Sequence, residues 1–392
     1  MAVSRRSFIV TLGAGATGVL AAPLITWRGR EALLGQGVSD RRADRLLASA
    51  PGMIRIDSNE NPNGPGERVY EIIRQHLSES NRYPTKSEDE FTAAIAKTHG
   101  INPANVILGC GSGELLRASV NAFCAPDKAL VSPEPTFEAP ANWAKFRGIP
   151  VTSPKVDAKL RLDLDAMADA VKGAGLVYLC NPNNPTATVH GKPDIDAFIE
   201  RVNRTSPETT ILIDEAYHEY VDDPTYATAI PHALANPRVV VARTFSKVFG
   251  MAGLRAGYLV GQTAVVQKVG AWCLGSNISA LTIAAATAAV GDTKHIAAEQ
   301  QKNRAARDYT IKFFQNAGYT PAKCDANFFM VDVHRDSKAF KMECVKHKVA
   351  IGRQFPALPT HARIGVGTMP EMKKAVEVFR VVLGNEAAAS SK

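Results

Sequence analysis

The chain has 392 residues, of which 45% are hydrophobic and 21% charged, and this composition is ordinary for a soluble globular protein. The net charge of +8 is uneven, because residues 1–45 carry seven arginines against three acidic residues. The remaining positive charge is diffuse, and no basic run with interleaved aromatic residues occurs, which argues against a nucleic-acid-binding protein. The six cysteines are scattered without a CxxC pair, so neither a metal site nor a disulfide framework is predicted.

The first segment of the chain has the pattern of an export leader. Ser4–Ile9 reads SRRSFI and resembles the twin-arginine motif. Residues 7–27 contain no charged side chain and are only modestly apolar, which favours a signal peptide over a membrane-spanning helix. We therefore expect residues 1–37 to deliver the folded protein to the periplasm or beyond through the twin-arginine export machinery. If the leader is not used, the protein is expected to stay in the cytoplasm.

Residues 38–80 are predicted to form an N-terminal arm and a helix. The arm, Ile56–Gly66, reads IDSNENPNGPG, an extended piece that ends in a Pro/Gly turn. Glu67–Ser78 has the amphipathic spacing of a helix. A turn that contains Tyr83 follows and is predicted to open the largest part of the chain.

Two short apolar runs come next and are predicted to be strands. Val106–Leu108 leads into GCGSGE, with a helix expected from about Glu114. Glycines between a strand and a helix start leave backbone N–H groups free to hold a phosphate, and the helix dipole favours its negative charge. Ala129–Val131 leads into PEPTF, which ends at Phe137.

Two further apolar runs read as buried strands that end in polar residues. Leu176–Cys180 leads into NPNNPT, which contains Asn184. Thr210–Ile213 leads into Asp214, with Tyr217 three residues further on. A carboxylate at the C-terminal end of a strand faces the usual ligand crevice of an α/β sheet, so Asp214 is a candidate site residue.

The stretch around Lys247 combines charge with hydroxyl groups. Val239–Val241 reads as a buried strand, and Thr244 and Ser246 lie between it and the lysine. Arg255 follows eight residues beyond the lysine. This arrangement suits an anionic ligand, and a partly desolvated lysine can also react covalently with a carbonyl group.

The C-terminal part is predicted to hold a smaller domain. The expected elements are the helices Ala271–Val290, Glu299–Gly318 and Glu371–Leu383 and the strand Phe328–Val333. The predicted division is a large domain over 81–290, a small domain over 291–385 and a disordered tail over 386–392.

These motifs, taken in order, closely resemble those of class I/II aminotransferases, the fold type I enzymes that use pyridoxal 5′-phosphate. The histidinol-phosphate aminotransferase branch is the most similar, and the similarity covers about residues 54–383. The resemblance implies an α/β fold with a mostly parallel seven-stranded sheet in the large domain and a small C-terminal α+β domain. It also implies a homodimer whose active sites are shared between the chains.

The resemblance also implies roles for individual residues. Lys247 would carry the cofactor and move a proton, Asp214 would pair with the ring nitrogen, and Tyr217 would bind the phenolic oxygen. Asn184 would bind that oxygen too, and Phe137 would stack on the ring. The implied phosphate-binding residues are Ser112, Gly113, Thr244, Ser246, Arg255 and, from the other subunit, Tyr83.

For the substrate, the resemblance implies contacts from Asn61, Arg353 and Arg363. The chain departs from the family pattern at Ala187, where relatives have glycine; a positive φ there would cost about 1 kcal/mol. The reaction expected is transfer of an amino group from an amino acid or amino-alcohol phosphate to a 2-oxo acid. Decarboxylation of an O-phospho amino acid, transamination of an aromatic amino acid and non-enzymatic cofactor binding remain open.

Overall fold

The computed structural model describes residues 50–387. The expected leader, 1–37, lies outside this range, and so do residues 38–49 of the predicted arm segment and residues 388–392 of the predicted tail. Within residues 50–387, no helix is long and apolar enough to cross a membrane.

Seven strands form the central sheet, in the order β2-β8-β7-β6-β5-β3-β4. Their bounds are β2 (Val106–Gly109), β3 (Leu130–Val131), β4 (Val151–Thr152), β5 (Leu176–Cys180), β6 (Thr210–Asp214), β7 (Val239–Thr244) and β8 (Gly257–Val260). Every neighbouring pair is parallel except the two that include β8, which is antiparallel to both β2 and β7. The prediction of a mostly parallel seven-stranded sheet is confirmed.

The three central strands are buried on both faces. Every residue of β5, β6 and β7 is buried, and the three strands are mostly apolar, with many β-branched residues. Near-continuous hydrophobic runs are what a parallel sheet covered by helices on both faces requires. A helix lies in the chain between β5 and β6 and another between β6 and β7. Because the three strands are parallel, their C-terminal ends lie at the same end of the sheet.

Twelve α-helices lie within the described residues. They are α1 (Glu67–His76), α2 (Thr85–His99), α3 (Ser112–Phe123), α4 (Ala139–Phe146), α5 (Leu164–Asp169), α6 (Lys192–Thr205), α7 (Ile230–Ala235), α8 (Thr263–Gly270), α9 (Ala280–Ala289), α10 (Thr293–Asn316), α11 (Ser337–Lys346) and α12 (Met369–Ala387). Helix α12 reaches two residues into the segment predicted as a disordered tail.

The predicted helix Ala271–Val290 is wrong in its first half. The helix α9 begins only at Ala280, because the Ser279 hydroxyl accepts a hydrogen bond from the Thr282 N–H and caps it. Before it, residues 271–279 form turns. The Glu114 carboxylate holds these turns by accepting from the Leu274 N–H at 3.1 Å and from Asn277 Nδ2 at 2.6 Å.

The remaining strands form two small sheets, of which one joins the arm to the C-terminal part. Strand β1 (Ile54–Ile56) pairs in parallel with β10 (Val349–Ile351), and β9 (Phe328–Asp332) pairs antiparallel with β11 (His361–Gly365). With α10, α11 and α12 they make up the predicted C-terminal α+β part. The boundary at 290/291 stays a prediction.

Candidate active site

Several predicted site residues lie at or just after the C-terminal ends of the central parallel strands. Cys180 at the end of β5 is in register with Asp214 at the end of β6, and Asp214 is in register with Ala242 of β7. Because these strands are parallel, the loops that follow them open at the same edge. The Asn184 loop, Asp214 and the Lys247 loop are therefore brought together.

Lys247 is partly buried, and its amine faces the N-terminal arm. Its Nζ donates to the backbone oxygen of Asn59 at 3.1 Å and lies 5.4 Å from the centroid of the Tyr217 ring. Burial, and then the positive charge of Arg363, lowers its pKa to about 8. A substantial fraction of the amine is therefore neutral near physiological pH, as a nucleophile or proton acceptor must be.

Asp214 is a buried carboxylate, only 2% exposed. It accepts hydrogen bonds from the Tyr178 hydroxyl at 2.9 Å and from the Ala216 N–H at 3.2 Å. Burial raises its pKa to about 6, although both hydrogen bonds and the charge of Lys247 oppose this shift. Such a carboxylate is suited to pairing with a protonated ring nitrogen, because an opposite charge offsets its desolvation.

Arg363, on β11, reaches into the site from the C-terminal part. Its two terminal nitrogens donate to Asn184 Oδ1 at 2.8 Å and to the backbone oxygen of Asp57 at 2.6 Å. With its Oδ1 used in this way, the Nδ2 of Asn184 is the atom of this side chain that can donate to a ligand. Burial lowers the pKa of Arg363 to about 10.

The backbone at the start of α3 forms a cradle whose free N–H groups suit an anion. Helix α3 starts at Ser112, and the preceding Gly111 has φ 73° and no side chain to cap the helix. The first N–H groups of the helix, those of Ser112 and Gly113, therefore have no acceptor within it. The loop is held in place because Glu114 accepts a hydrogen bond from the Cys110 N–H at 2.7 Å.

Hydroxyl and guanidinium groups complete this cradle. The Thr244 hydroxyl donates to Ser246 Oγ at 2.9 Å, and Nη1 of Arg255 lies 3.5 Å from the same oxygen. A Cβ atom on Gly111 would collide with the Arg255 guanidinium, and one on Gly257 would collide with the Ser112 nitrogen. The backbone of the loop and the arginine can approach this closely only because both positions are glycine.

The remaining predicted site residues differ in their exposure and in their contacts. Phe137 is 38% exposed on the loop after β3, and Arg353 is engaged with Glu138. The amide of Asn61 donates to the backbone oxygen of Val248 at 2.9 Å and so fastens the arm; its substrate contact stays a prediction. Tyr83 is 86% exposed between α1 and α2, where it is accessible to a second chain.

Two residues of the site were not identified from the sequence. Asn59 accepts from Lys247 through its backbone oxygen and donates from Nδ2 to the Tyr217 hydroxyl at 3.2 Å, with a φ of 53°. Its position in the Asn-Glu-Asn-Pro segment, which also contains Asn61, could have indicated a place in the site. Tyr178, which donates to Asp214, gave no signal, because a tyrosine inside a buried strand reads as core.

The turn after β5 has a positive φ at Ala187, the conformation for which the sequence analysis expects an energetic cost. Ala187 has φ 60° and is fully buried. An alanine in this left-handed region costs about 1 kcal/mol relative to glycine. The turn is held by Asn183, which accepts from the Thr136 hydroxyl at 2.7 Å and donates to the Pro135 oxygen at 3.0 Å.

The residues present fit pyridoxal 5′-phosphate. A cradle of backbone N–H groups, hydroxyls and a guanidinium suits its phosphate, Asp214 suits its ring nitrogen and Lys247 suits its aldehyde. Three buried polar atoms at the site have no hydrogen-bond partner within residues 50–387: Arg363 Nε, Asn59 Oδ1 and Asp57 Oδ1. Buried polar atoms are rarely left in this state, so these atoms point to a polar ligand.

Known proteins share both the sequence pattern and the fold. Residues 51–379 match the family described as aminotransferase class I and II. The chain is 32% identical to a histidinol-phosphate aminotransferase of Symbiobacterium thermophilum over 335 residues, which are 85% of this chain and 91% of that protein.

Two solved structures illustrate the shared fold. The histidinol-phosphate aminotransferase of Sinorhizobium meliloti, in complex with pyridoxal-5′-phosphate, has a TM-score of 0.81 and 25% identity, covering 87% of this chain and 94% of that one. The aspartate aminotransferase of Thermus thermophilus with maleate has a TM-score of 0.77 and 18% identity, covering 91% and 99%.

Proposed function

The chain belongs to the aminotransferase class I and II family and is a pyridoxal 5′-phosphate-dependent aminotransferase; from this premise we propose that its amino donor carries an anionic group that Arg363 binds. The acceptor is a 2-oxo acid, and the reaction is of the histidinol-phosphate aminotransferase type.

The observation that carries this proposal is the position of Arg363. Arg363 is 9% exposed, and its terminal nitrogens donate to neutral oxygens, those of Asn184 and the Asp57 backbone. It is near enough to Lys247 to lower the pKa of that amine. A buried guanidinium gains most from an anion that can accept two parallel hydrogen bonds, and a donor bound in this way would present its amino group towards Lys247.

Each residue then has a definite task. Bound pyridoxal phosphate supplies the electron sink for the bond broken at the donor's Cα. Lys247, with a pKa of about 8, is able both to accept and to return the Cα proton near neutral pH. Asp214 would keep a positive charge on the ring nitrogen, while Asn184 and Tyr217 would orient the phenolic oxygen.

We further propose that the working unit is a homodimer with shared sites. Support comes from Tyr83, a large aromatic residue that is 86% exposed and would contact the phosphate bound by a second chain. Mixing Lys247→Ala with a Tyr83→Ala variant that has lost activity should restore part of the activity, because one site of each mixed dimer has both native residues. Failure to recover any activity under subunit exchange would contradict the shared site.

We also propose that residues 1–37 direct export of the folded, cofactor-loaded protein, on the strength of the Ser4–Ile9 motif. Replacing Arg5 and Arg6 with lysine should keep the protein in the cytoplasm, as measured by cell fractionation. An unchanged distribution would rule out this use of the leader.

The reaction is tested by a panel of amino donors and 2-oxo acid acceptors on the loaded enzyme. We expect 2-oxo acid consumption without release of CO₂, and loss of donor binding in Arg363→Gln. An Arg238→Gln variant, changed at a half-exposed arginine paired with Glu208, is the matched control and should behave as the wild type. Stoichiometric CO₂ release, or an Arg363→Gln variant with an unchanged donor KM, would contradict the proposal.

A further inference from the structure

One backbone oxygen of the N-terminal arm accepts hydrogen bonds from two side chains that are distant in the chain. Lys247 Nζ donates to the backbone oxygen of Asn59 at 3.1 Å. Asn327 Nδ2 donates to the same oxygen at 3.1 Å and to the backbone oxygen of Glu60 at 3.2 Å. A carbonyl oxygen has two lone pairs, so both acceptor positions of the Asn59 oxygen are occupied. The Asn327 amide therefore helps to fix where the acceptor of the Lys247 amine lies.

Asn327 is itself firmly held and fully enclosed. It directly precedes β9 and is 2% exposed, and its backbone oxygen accepts from the Val366 N–H at 2.9 Å. Its side-chain Oδ1 has no hydrogen-bond partner within residues 50–387. An unsatisfied buried oxygen costs stability, so an apolar side chain would serve packing better at this position. The two donor contacts with the arm account for the presence of an amide.

The arm needs such an anchor at this point. Asn59 has a φ of 53°, in the left-handed region that residues other than glycine rarely occupy. A conformation of this kind persists only where the surrounding contacts hold it. The Asn327 amide holds the two carbonyl groups that follow the Asn59 Cα, whereas the Asn59 side chain is anchored separately by donating to the Tyr217 hydroxyl at 3.2 Å. The position of the Asn59 oxygen thus depends on Asn327.

The position of this oxygen matters for the direction of the amine. A neutral lysine amine has two N–H groups and one lone pair, and the lone pair is what accepts a proton. When the Asn59 oxygen holds one of the N–H groups of Lys247, the lone pair has fewer directions in which to point. Proton transfer is fast only when the acceptor is aligned with the proton that it takes, so the held amine is better placed to react.

We propose that Asn327 is a positioning residue for proton transfer by Lys247, and that it acts through the backbone oxygen of Asn59. This inference rests on the proposed task of Lys247, which is to accept and return the Cα proton of the donor. Because Asn327 acts on the amine through the arm, loss of its amide should lower kcat more than it raises the donor KM.

The first test follows the acylation of Lys247 against pH in the cofactor-free protein, by mass spectrometry of the labelled peptide. Asn327→Leu keeps the branching of the side chain but removes the donor. The Asn59 oxygen is then free to move away from the amine, which loses an acceptor that stabilises its protonated form. The midpoint, near pH 8 in the wild type, should fall by about 1 unit in the variant.

The surroundings of the amine give this shift a definite sign. Burial lowers the pKa of the Lys247 amine most, two arginines lower it further and two carboxylates raise it: Arg363, Arg255, Glu60 and Asp214. None of these side chains is replaced in Asn327→Leu. If the arm moves away, it carries Glu60 with it, and the loss of that negative charge also lowers the pKa. Both effects act in the same direction.

A second buried asparagine provides the matched control. Asn303, on α10, is 9% exposed and lines the same cavity of about 320 Å³ as Asn327. Its Nδ2 donates to the backbone oxygen of Ala326 at 3.4 Å and not to the arm. Asn303→Leu should therefore keep the wild-type midpoint and kcat. Asn327→Ala removes the same donor as Asn327→Leu without adding volume, so it decides the question if the leucine variant does not fold.

Turnover of the loaded enzyme is the second readout. In Asn327→Leu, kcat should fall about 10-fold, while the donor KM and the dissociation constant of the cofactor change by less than about 3-fold. A wild-type acylation midpoint in the Asn327 variants, or an equal fall of the midpoint in Asn303→Leu, would overturn the inference.

Lys247→Ala distinguishes a failure of this inference from a failure of the proposed function. If Lys247→Ala still transfers amino groups at the wild-type rate, the proposed task of the lysine is wrong. If Lys247→Ala is inactive while Asn327→Leu keeps the wild-type midpoint and kcat, the task of the lysine stands and only the role of Asn327 is wrong.

Discussion

Removing the buried charge of Asp214 should stabilise the cofactor-free protein while abolishing its activity. Burial raises the pKa of Asp214 from 3.8 to about 6. A carboxyl group whose pKa is raised in the folded state contributes stability below pH 3.8, and this contribution is lost as the pH rises through 6. A pKa shift of this size corresponds to about 3 kcal/mol of folding free energy. At pH 8, where the carboxyl is ionised, the folded state is destabilised by this full amount.

Asp214→Asn removes that ionisation and keeps one of the two oxygens that accept from the Tyr178 hydroxyl and the Ala216 N–H; the donor left without an acceptor reduces the gain. The cofactor-free variant should therefore be more stable than the wild type at pH 8, by at most about 3 kcal/mol, and by roughly half of that at pH 5. The loaded variant should lose transaminase activity, because no anion holds a positive charge on the ring nitrogen.

Urea unfolding of the cofactor-free proteins at pH 5 and pH 8 provides the measurement. Asp127→Asn, at an exposed aspartate, is the control and should show no gain at either pH. The reasoning is refuted if Asp214→Asn is no more stable than the wild type at pH 8, or if its gain is the same at both pH values.

Three further predictions concern the same site. In the cofactor-free protein, the reaction of the Lys247 amine with an acylating reagent should have its midpoint near pH 8; a midpoint near 10, as for ordinary lysines, would show that burial does not act as argued. Gly257→Ala should weaken cofactor binding by at least about 10-fold, or about 1.4 kcal/mol, because its Cβ would displace the Ser112 nitrogen; an unchanged dissociation constant in an absorbance titration would contradict this. Tyr178→Phe removes a hydrogen bond to the Asp214 carboxylate, worth about 1.5–3 kcal/mol, and should raise the pKa of Asp214 by about 1–2 units. That change would be seen as an alkaline shift in the pH dependence of cofactor-free stability, and the absence of a shift would show that the hydroxyl does not stabilise the charge.

Residue patterns alone predicted five of the seven strands of the sheet; β4 and β8 were not predicted, and the count of seven followed from the resemblance to the family. Strand β5 was predicted with its observed bounds, because a continuous apolar run bounded by glycine on one side and Asn-Pro on the other has few alternatives. The segment 271–279 was predicted as helix and is not, because small residues give no clear periodicity. Its conformation depends on the Glu114 carboxylate, some 160 residues away in the chain.

In the candidate site, too, some features could be predicted from local sequence and others depend on contacts between distant residues. Lys247 and Asp214 follow buried strands directly, so their position at the edge of the sheet could be predicted from local pattern. The contacts of Asn59 with Lys247 and Tyr217 span 188 and 158 residues, and nothing local encodes them. The pairing of Glu138 with Arg353 is of the same kind, since it joins a loop of the central sheet to the C-terminal part. The sequence determined which groups can react, whereas the tertiary structure alone decided which of them face one another, because charge balance and desolvation depend on neighbours that are distant in the chain.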